Sequence, residues 1–387
     1  MDFNLTEEQT FIRQSVRDFA EREIKPIAKD LDEKAEFSVD LTAKMGELGL
    51  FGMYLPTEYG GGGMDTLSYI IAVEELARID SSQAATLAAH NSLGIGPIYY
   101  YGTEEQKQKY LPQLCTGKAL WGFGLTEPEA GSDSRGTKTK AILENDEWVI
   151  NGSKIFITNA SAPISIGSTV QAVSGTDEKG RQLYTCIIVE NGTPGFKAVE
   201  MHGKMMWRAS NTSELYFDDC RVPKENLLGK IGEGSHIMLS TLDNGRLSIG
   251  AMGLGLAQGA FEQAMQYAHE RKQFGKYIYA FQNTGFLMAE LATKIEMARN
   301  LLYKACWLKE NHKPFGKEAA MAKYYCSEVA KETADAAVQI HGGYGLMKDF
   351  DIERFYRDQR LLQIGEGTSE IQKLVIARYI EKEFLNQ

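Results

Sequence analysis

Glu366 stands between Gly365 and Gly367, with Thr368 and Ser369 next along the chain. Glycines on both sides let a backbone come close to a ligand, and a carboxylate shielded from water there has its pKa raised towards neutrality. That suits a general base. The plainer alternative is a helix cap, a task Thr368 and Ser369 could do as well. A second candidate is Phe123-Gly-Leu-Thr-Glu-Pro-Glu-Ala-Gly-Ser-Asp133, which reads as a strand end running into a turn. Its backbone N–H groups and small hydroxyls could bind the polar edge of a flat heterocycle without adding charge. Arg271 falls at the expected end of a helix, before a turn at Gly275. Its fork could hold a pyrophosphate, or could satisfy the last helical carbonyls. His341, in Gln339-Ile-His-Gly-Gly343, is a tempting lone imidazole, but the expectation is that it shapes its loop. Gly253-Leu-Gly255-Leu-Ala-Gln-Gly259 comes near the dinucleotide fingerprint, yet its third glycine is one place late and no strand precedes it. Tight helix packing is the better account.

Three stretches of different periodicity must position these groups. From Thr6 to about residue 120 the pattern is helical. Thr6 and Gln9 match a capping box, and Ile12, Val16, Phe19, Ile24 and Ile27 could share one face. A second helix suits Thr66–Ile79, entered through Gly60–Gly63, a run read as a plain loop. From residue 121 to about 228 the signals are strands: Glu147–Thr158 with a hairpin turn at Asn151-Gly152, then Gln182–Glu190 and Ser213–Phe217. From residue 231 the chain is helical again. Thr241–Arg271 is rich in Gly, Ala and Met, and Leu287, Leu291, Ile295, Ala298 and Leu301 could form the buried face of the next helix, with Lys294 and Glu296 outward.

The formal charge of -10 and pI near 5.3 argue against nucleic acid as the main partner. Cys115, Cys186, Cys220, Cys306 and Cys326 are scattered, which fits neither a disulfide framework nor a metal site. The charged, amphipathic N-terminus does not read as a signal peptide, and no apolar run suits a membrane span. The expectation is a cytoplasmic protein that meets no membrane.

Five segments occur in order: Phe123–Asp133, Ile155-Phe-Ile-Thr-Asn159, Glu270-Arg-Lys-Gln-Phe-Gly275, Gln339–Gly343 and Gly365-Glu-Gly-Thr-Ser369. Together they resemble the acyl-CoA dehydrogenase family, and the resemblance runs from the first helix to the last. It implies an α+β fold: an N-terminal helical domain (1–120), a middle β-barrel-like domain (121–230) and a C-terminal four-helix bundle (231–387). It also implies FAD as cofactor, an acyl-CoA thioester as substrate, an electron-transferring flavoprotein as electron acceptor and a homotetramer.

By that resemblance Phe123, Leu125, Thr126, Phe156 and Thr158 meet the flavin, and Ser132 lies near the CoA pantetheine or phosphate. Arg271, Phe274, Gln282, Gln339, Gly342 and Gly343 would reach the FAD of a neighbouring subunit. Thr368 and Glu370 join the cofactor set, Asp243 and Arg246 would touch CoA, and Gly365 and Gly367 would line the substrate. Glu366 would be the base, its backbone N–H helping to polarise the thioester carbonyl. Some relatives carry the base just before the position of Arg246; here that residue is Gly245. Many have Tyr where this chain has Gly365, so a wider pocket for a short and branched, or cyclic, acyl group is expected. Met206 stands where relatives often have Gly. The competing expectations are an enoyl-CoA reductase working in the reverse direction and a helical scaffold without catalysis.

Overall fold

The structure is a computed structural model that describes residues 4–386; Met1–Phe3 and Gln387, the outer ends of the first and third expected domains, lie outside the described residues. The helices α1 (Glu7–Phe19), α2 (Lys25–Lys34), α3 (Val39–Glu47), α4 (Thr66–Ala77), α5 (Ser81–Ala88), α6 (Gly96–Tyr101) and α7 (Glu104–Leu114) come first. The strands β1 (Leu120–Gly124), β2 (Lys140–Glu144), β3 (Glu147–Thr158), β4 (Ser165–Thr176), β5 (Gln182–Glu190), β6 (Phe196–Glu200), β7 (Thr212–Pro223) and β8 (Leu227–Leu228) follow. Then come α8 (Gly234–Glu270), a small hairpin of β9 (Lys272–Gln273) and β10 (Lys276–Tyr277), α9 (Gln282–Glu310), α10 (Gly316–His341), α11 (Ile352–Leu362) and α12 (Ser369–Leu385).

The Thr6–Gln9 capping box opens α1 as expected, each side chain bonding the other residue's N–H at 3.1 Å. Ile12, Val16, Phe19 and Ile24 are buried, but Ile27 faces out. The reason is a π-turn over Ala20–Ile24. Its wider turn rotates the face, so Ala28 rather than Ile27 next meets the core. The Gly60–Gly63 run is a loop whose amides are already used. Those of Gly61, Gly62 and Gly63 donate to the carbonyls of Pro56, Gly52 and Leu55.

The sheet runs in the order β6-β7-β3-β2-β4-β5-β8, with β1 parallel to β4. It curls over an apolar core that includes Trp148, Ile150, Val170, Ile187, Leu215 and Phe217. The expected turn at Asn151-Gly152 is not there: β3 continues through it, paired with β7. The two-residue turn is Asn145-Asp146, with φ of 50° and 66°, and it places Glu144 opposite Glu147. Two left-handed residues in succession match the twist of a tight hairpin, and Asn and Asp tolerate that conformation. Gly152 instead sits at a register shift against β7, where an added Cβ would lie 2.7 Å from Thr139 Cα. The Asn151 side chain meanwhile bonds Asp219 across the sheet. The strand Gln182–Glu190 has the expected bounds, and Ser213–Phe217 lies within the longer β7.

Helix α8 begins earlier than expected and ends at Glu270, with Arg271 as its cap. Gly253, Gly255 and Gly259 lie in its middle. A Cβ on Gly253 would come within 2.9 Å of the Cys326 carbonyl, and on the other two would overlap the Glu74 and Arg78 carbonyls. Close packing, not phosphate binding, explains these glycines. On α9, Leu291, Ile295 and Ala298 are buried, while Met288 and Leu302 replace the half-buried Leu287 and Leu301 at the centre of the face. Glu296 points out, and Lys294 pairs with Glu332 of α10.

One apolar core joins the N-terminal helices to the C-terminal ones, through residues such as Val16, Ile70, Leu247, Leu302, Ala330 and Phe355, with Met206 half-buried against it. A second, including Tyr110, Trp121, Ile188 and Ile237, ties α7 and α8 to β1 and β5. Each fully buried Val, Leu, Ile or Phe side chain among them contributes roughly 1.5–3 kcal/mol on burial. The five cysteines are buried and unpaired. Among the described residues no helix is long and apolar enough to cross a membrane, and no His/Cys/Asp/Glu group could hold a metal.

Candidate active site

The turn between α11 and α12 carries Glu366. Thr368 is the cap of α12, its hydroxyl accepting the Ile371 N–H at 3.2 Å, so Glu366 is free of that task. Glu366 holds a left-handed backbone, φ 52°, followed by Gly367 at 91°. Such a conformation in a side-chain-bearing residue persists only where its surroundings enforce it. Here Gln372 Nε2 donates to the Glu366 and Gly367 carbonyls at 3.3 and 3.0 Å, and Lys323 Nζ donates to the Gly367 carbonyl at 2.7 Å.

The carboxylate points inward, and Oε2 is buried without a hydrogen-bond partner. It lies against Gly245 of α8, where an added Cβ would overlap Oε2 and come within 3.1 Å of Leu93 Cδ2. Gly245 therefore does more than lack a carboxylate: it makes room for this one. Burial pushes the Glu366 pKa up to about 7, while the charges of Lys323 and Arg246 pull the other way. Arg246, itself buried, bonds Asp243 one turn earlier on α8. Burial raises the Asp243 pKa and Arg246 opposes the rise. Asp243 approaches the start of α10, since a Cβ on Gly316 would lie 3.7 Å from its Oδ2 and 2.5 Å from the Tyr379 hydroxyl.

A second wall comes from the sheet. Phe123 is the penultimate residue of β1, Leu125 and Thr126 follow its end at Gly124, and the Thr126 carbonyl accepts the Ile155 N–H at 3.0 Å. That bond sets Phe123–Thr126 beside Phe156 and Thr158 of β3. Phe156 has φ 62° and is 63% exposed, at a register shift between Lys154 and Ile157. The following loop is anchored by a buried Lys154–Glu127 ion pair at 2.7 Å. Glu127 also accepts the N–H groups of Lys138 and Thr139. Ser132 is exposed on this loop.

The two walls meet through the π-helical segment Ala89–Ile95. Leu93 lies near Glu366, and Gly94 abuts β1, where a Cβ would sit 2.9 Å from the Trp121 carbonyl. His90, with no exposed surface, accepts the Trp121 N–H on Nδ1 at 3.2 Å, so its Nε2–H donates to the Leu114 carbonyl at 2.9 Å. Burial lowers its pKa to about 4, so the ring stays neutral.

Arg271, Phe274, Gln282, Gln339, Gly342 and Gly343 are all exposed. They gather around the β9–β10 hairpin and the end of α10, where Arg271 lies over the Tyr344 ring at 6.0 Å. Phe274, at φ 49°, is 93% exposed. Glu370 is exposed in the first turn of α12, while Gly365 and Gly367 flank Glu366 half-buried. His341 is buried, stacked on Tyr267 at 4.3 Å, with Nδ1 at 2.8 Å from the Ala337 carbonyl. It shapes the end of α10, as expected.

Sequence reasoning missed Lys323, Gln372 and Tyr69, a buried phenol of α4 that faces the Glu366 charge. One signal was readable. Lys323 shares a helical face with Ala319, Ala320, Cys326 and Ser327, where a cation has no reason to be unless it serves a buried partner.

Family models match most of the chain: "Acyl-CoA dehydrogenase, N-terminal domain" over residues 6–118, the middle domain over 122–220 and the C-terminal domain over 232–381. "Probable acyl-CoA dehydrogenase YngJ" of Bacillus subtilis is 50% identical, covering 99% of this chain and 100% of its own. The short-chain specific acyl-CoA dehydrogenase of Clostridium acetobutylicum is 48% identical over 97% of this chain and 99% of its own. The NADH-dependent acryloyl-CoA reductase of Anaerotignum propionicum is 45% identical over 99% and 96%. Among solved structures, butyryl-CoA dehydrogenase from Megasphaera elsdenii superposes with a TM-score of 0.94 at 42% identity, over 98% of this chain and 100% of that one. An acyl-CoA dehydrogenase from Bacillus anthracis complexed with FAD gives 0.93 at 36%, over 99% and 69%.

Proposed function

The chain belongs to the acyl-CoA dehydrogenase family, and from that premise we propose that Glu366 is the base that takes the α-proton of an acyl-CoA thioester. The enzyme desaturates its substrate between Cα and Cβ and uses FAD. The observation that carries the assignment of the base is the buried, unpartnered Oε2 of Glu366 in its glycine-made niche.

The residues present fit a flavin. Phe156 offers a largely exposed ring on strained backbone next to Phe123, Leu125, Thr126 and Thr158, a surface suited to a flat heterocycle. Bound FAD supplies the acceptor for the hydride that leaves Cβ. The chain's own part is then to hold the thioester and to move one proton: the Cα–H bond breaks, its proton goes to Oε2, and the electron pair becomes the new double bond. A carboxylate with a pKa near 7 is ionised enough to accept that proton at neutral pH and basic enough to pull it. The Glu366 N–H would polarise the thioester carbonyl, lowering the cost of enolate-like charge on its oxygen. Asp243, Arg246 and Ser132 would position CoA. Gly365 leaves room beside the base, which supports a short and branched, or cyclic, acyl group.

The exposed Arg271, Phe274, Gln282, Gln339, Gly342 and Gly343 support a cofactor site completed by a neighbouring subunit of a cytoplasmic homotetramer, with Thr368 and Glu370 near it. An electron-transferring flavoprotein would reoxidise the enzyme. The acryloyl-CoA reductase relative favours a second reading, in which the same groups return proton and hydride to a 2-enoyl-CoA.

The test is anaerobic titration of the holoenzyme with linear, branched and cyclic acyl-CoAs. Bleaching of the flavin by wild type but not by Glu366→Gln is expected, with the strongest response from a short branched or cyclic thioester. Full bleaching of the variant would remove Glu366 as the base. Preference for long linear chains would remove the Gly365 argument.

A further inference from the structure

We propose that Lys323 is a positioning residue for Glu366: from inside α10 it clamps the Gly367 carbonyl and presents its ammonium to the base. The inference rests on the reading of Glu366 as the base. Lys323 has no exposed surface, and its Nζ lies 2.7 Å from the Gly367 oxygen. The same oxygen accepts from Gln372 of α12 at 3.0 Å. Two donors on one carbonyl, from two different helices, fix the peptide after Gly367, and with Gln372 also donating to the Glu366 carbonyl at 3.3 Å they hold the left-handed Glu366–Gly367 backbone in place. A buried leucine would fill the same volume but leave one donor only.

The charge has its own effect. Facing Glu366 are Lys323 from α10, Arg246 from α8 with its partner Asp243, and the Tyr69 phenol from α4. Facing Lys323 are Glu366, Arg246, Glu328 of its own helix and Glu370 of α12. Burial lowers the Lys323 pKa to about 8, against the pull of Glu366, so near neutral pH it stays cationic. A cation beside a buried carboxylate favours the ionised form. Lys323 thus limits how far burial raises the base, and the two groups titrate as a pair.

The test compares Lys323→Met and Lys323→Arg in the holoenzyme. It uses the pH dependence of flavin reduction in stopped flow, and infrared pH-difference spectra of the Glu366 carboxyl, assigned by their loss in Glu366→Gln. Lys323→Met is expected to move the acid limb of the rate and the infrared titration together, by about one pH unit upward. Lys323→Arg is expected to restore both. Unchanged titration in Lys323→Met, or equal behaviour of the two variants, would overturn the proposal. If Lys323→Met fails to retain flavin, Lys323→Gln, which keeps a donor without the charge, is expected to show the same shift, and its absence is equally fatal. Undiminished proton abstraction by Glu366→Gln would overturn the base reading instead, because the infrared shift is read on the carboxyl itself.

Discussion

Replacing Glu366 with Gln should abolish activity and make the protein more stable at alkaline pH. The Glu366 pKa rises from 4.5 to about 7 on folding, because the carboxylate is buried. The folded chain therefore holds this proton more tightly than the unfolded chain, and stability falls as pH rises through that interval. A shift of about 2.5 units corresponds to about 3 kcal/mol once ionisation is complete. Between about pH 5.5 and about pH 8 the wild type should lose about 2 kcal/mol relative to the variant. The assay is equilibrium urea unfolding of both proteins at fixed protein concentration and constant excess FAD. The quantity read is the change in their difference between the two pH values, which cancels the packing cost of the amide itself. A difference that stays level within about 0.5 kcal/mol would show that the carboxylate is not desolvated in the native state, and the reasoning about the base would fall with it.

Other consequences can be checked more quickly. With a base pKa near 7, kcat/KM for flavin reduction should drop about tenfold from about pH 8 to about pH 6; a flat profile would place the base in a wetter environment. Gly245→Ala puts a methyl where Glu366 Oε2 lies, so it should cut flavin reduction at least about a hundredfold while the flavin stays bound, read as stopped-flow rate and visible spectrum. Lys154→Met leaves the Glu127 carboxylate buried without its cation, with an expected loss of about 3–5 kcal/mol in urea unfolding. Gly365→Tyr brings a Cβ within 3.3 Å of Leu361 Cδ2 on α11, a tight contact that a small shift of the Leu361 side chain relieves, so the variant should fold and shift its kcat/KM preference towards linear chains.

The candidate base Glu366 was readable because a carboxylate between two glycines is a local pattern, which the family resemblance singled out from a helix cap, and its neighbour Gly245 was visible as an absence. The niche those residues form together was not, since it depends on α8 and the α11–α12 turn meeting across the core. The same division runs through the fold. The capping box of α1 and the strand Gln182–Glu190 are written in neighbouring residues. The hairpin was misplaced by six residues because Asn151-Gly152 and Asn145-Asp146 both allow positive φ, and only the pairing of β3 with β7 decides between them. Ile27 was misassigned because a π-turn leaves no mark in an apolar repeat. Lys323 drew no reading from the sequence, although its small, buried neighbours set it on an inward face of α10.

The neutral ring of His90, which staples β1 to the N-terminal helices, has a consequence for how the enzyme meets acid. Its pKa is lowered from 6.5 to about 4, so the unfolded chain takes that proton first and the fold weakens as pH falls through this window. Glu366 behaves with the opposite sign over nearly the same window, strengthening the fold as it takes its proton. The two effects are of similar size, about 2.5 units each, and largely cancel. Between these two groups, mild acidification turns the chemistry down with little net change in their contribution to stability, and recovery of activity on neutralising the medium is the check.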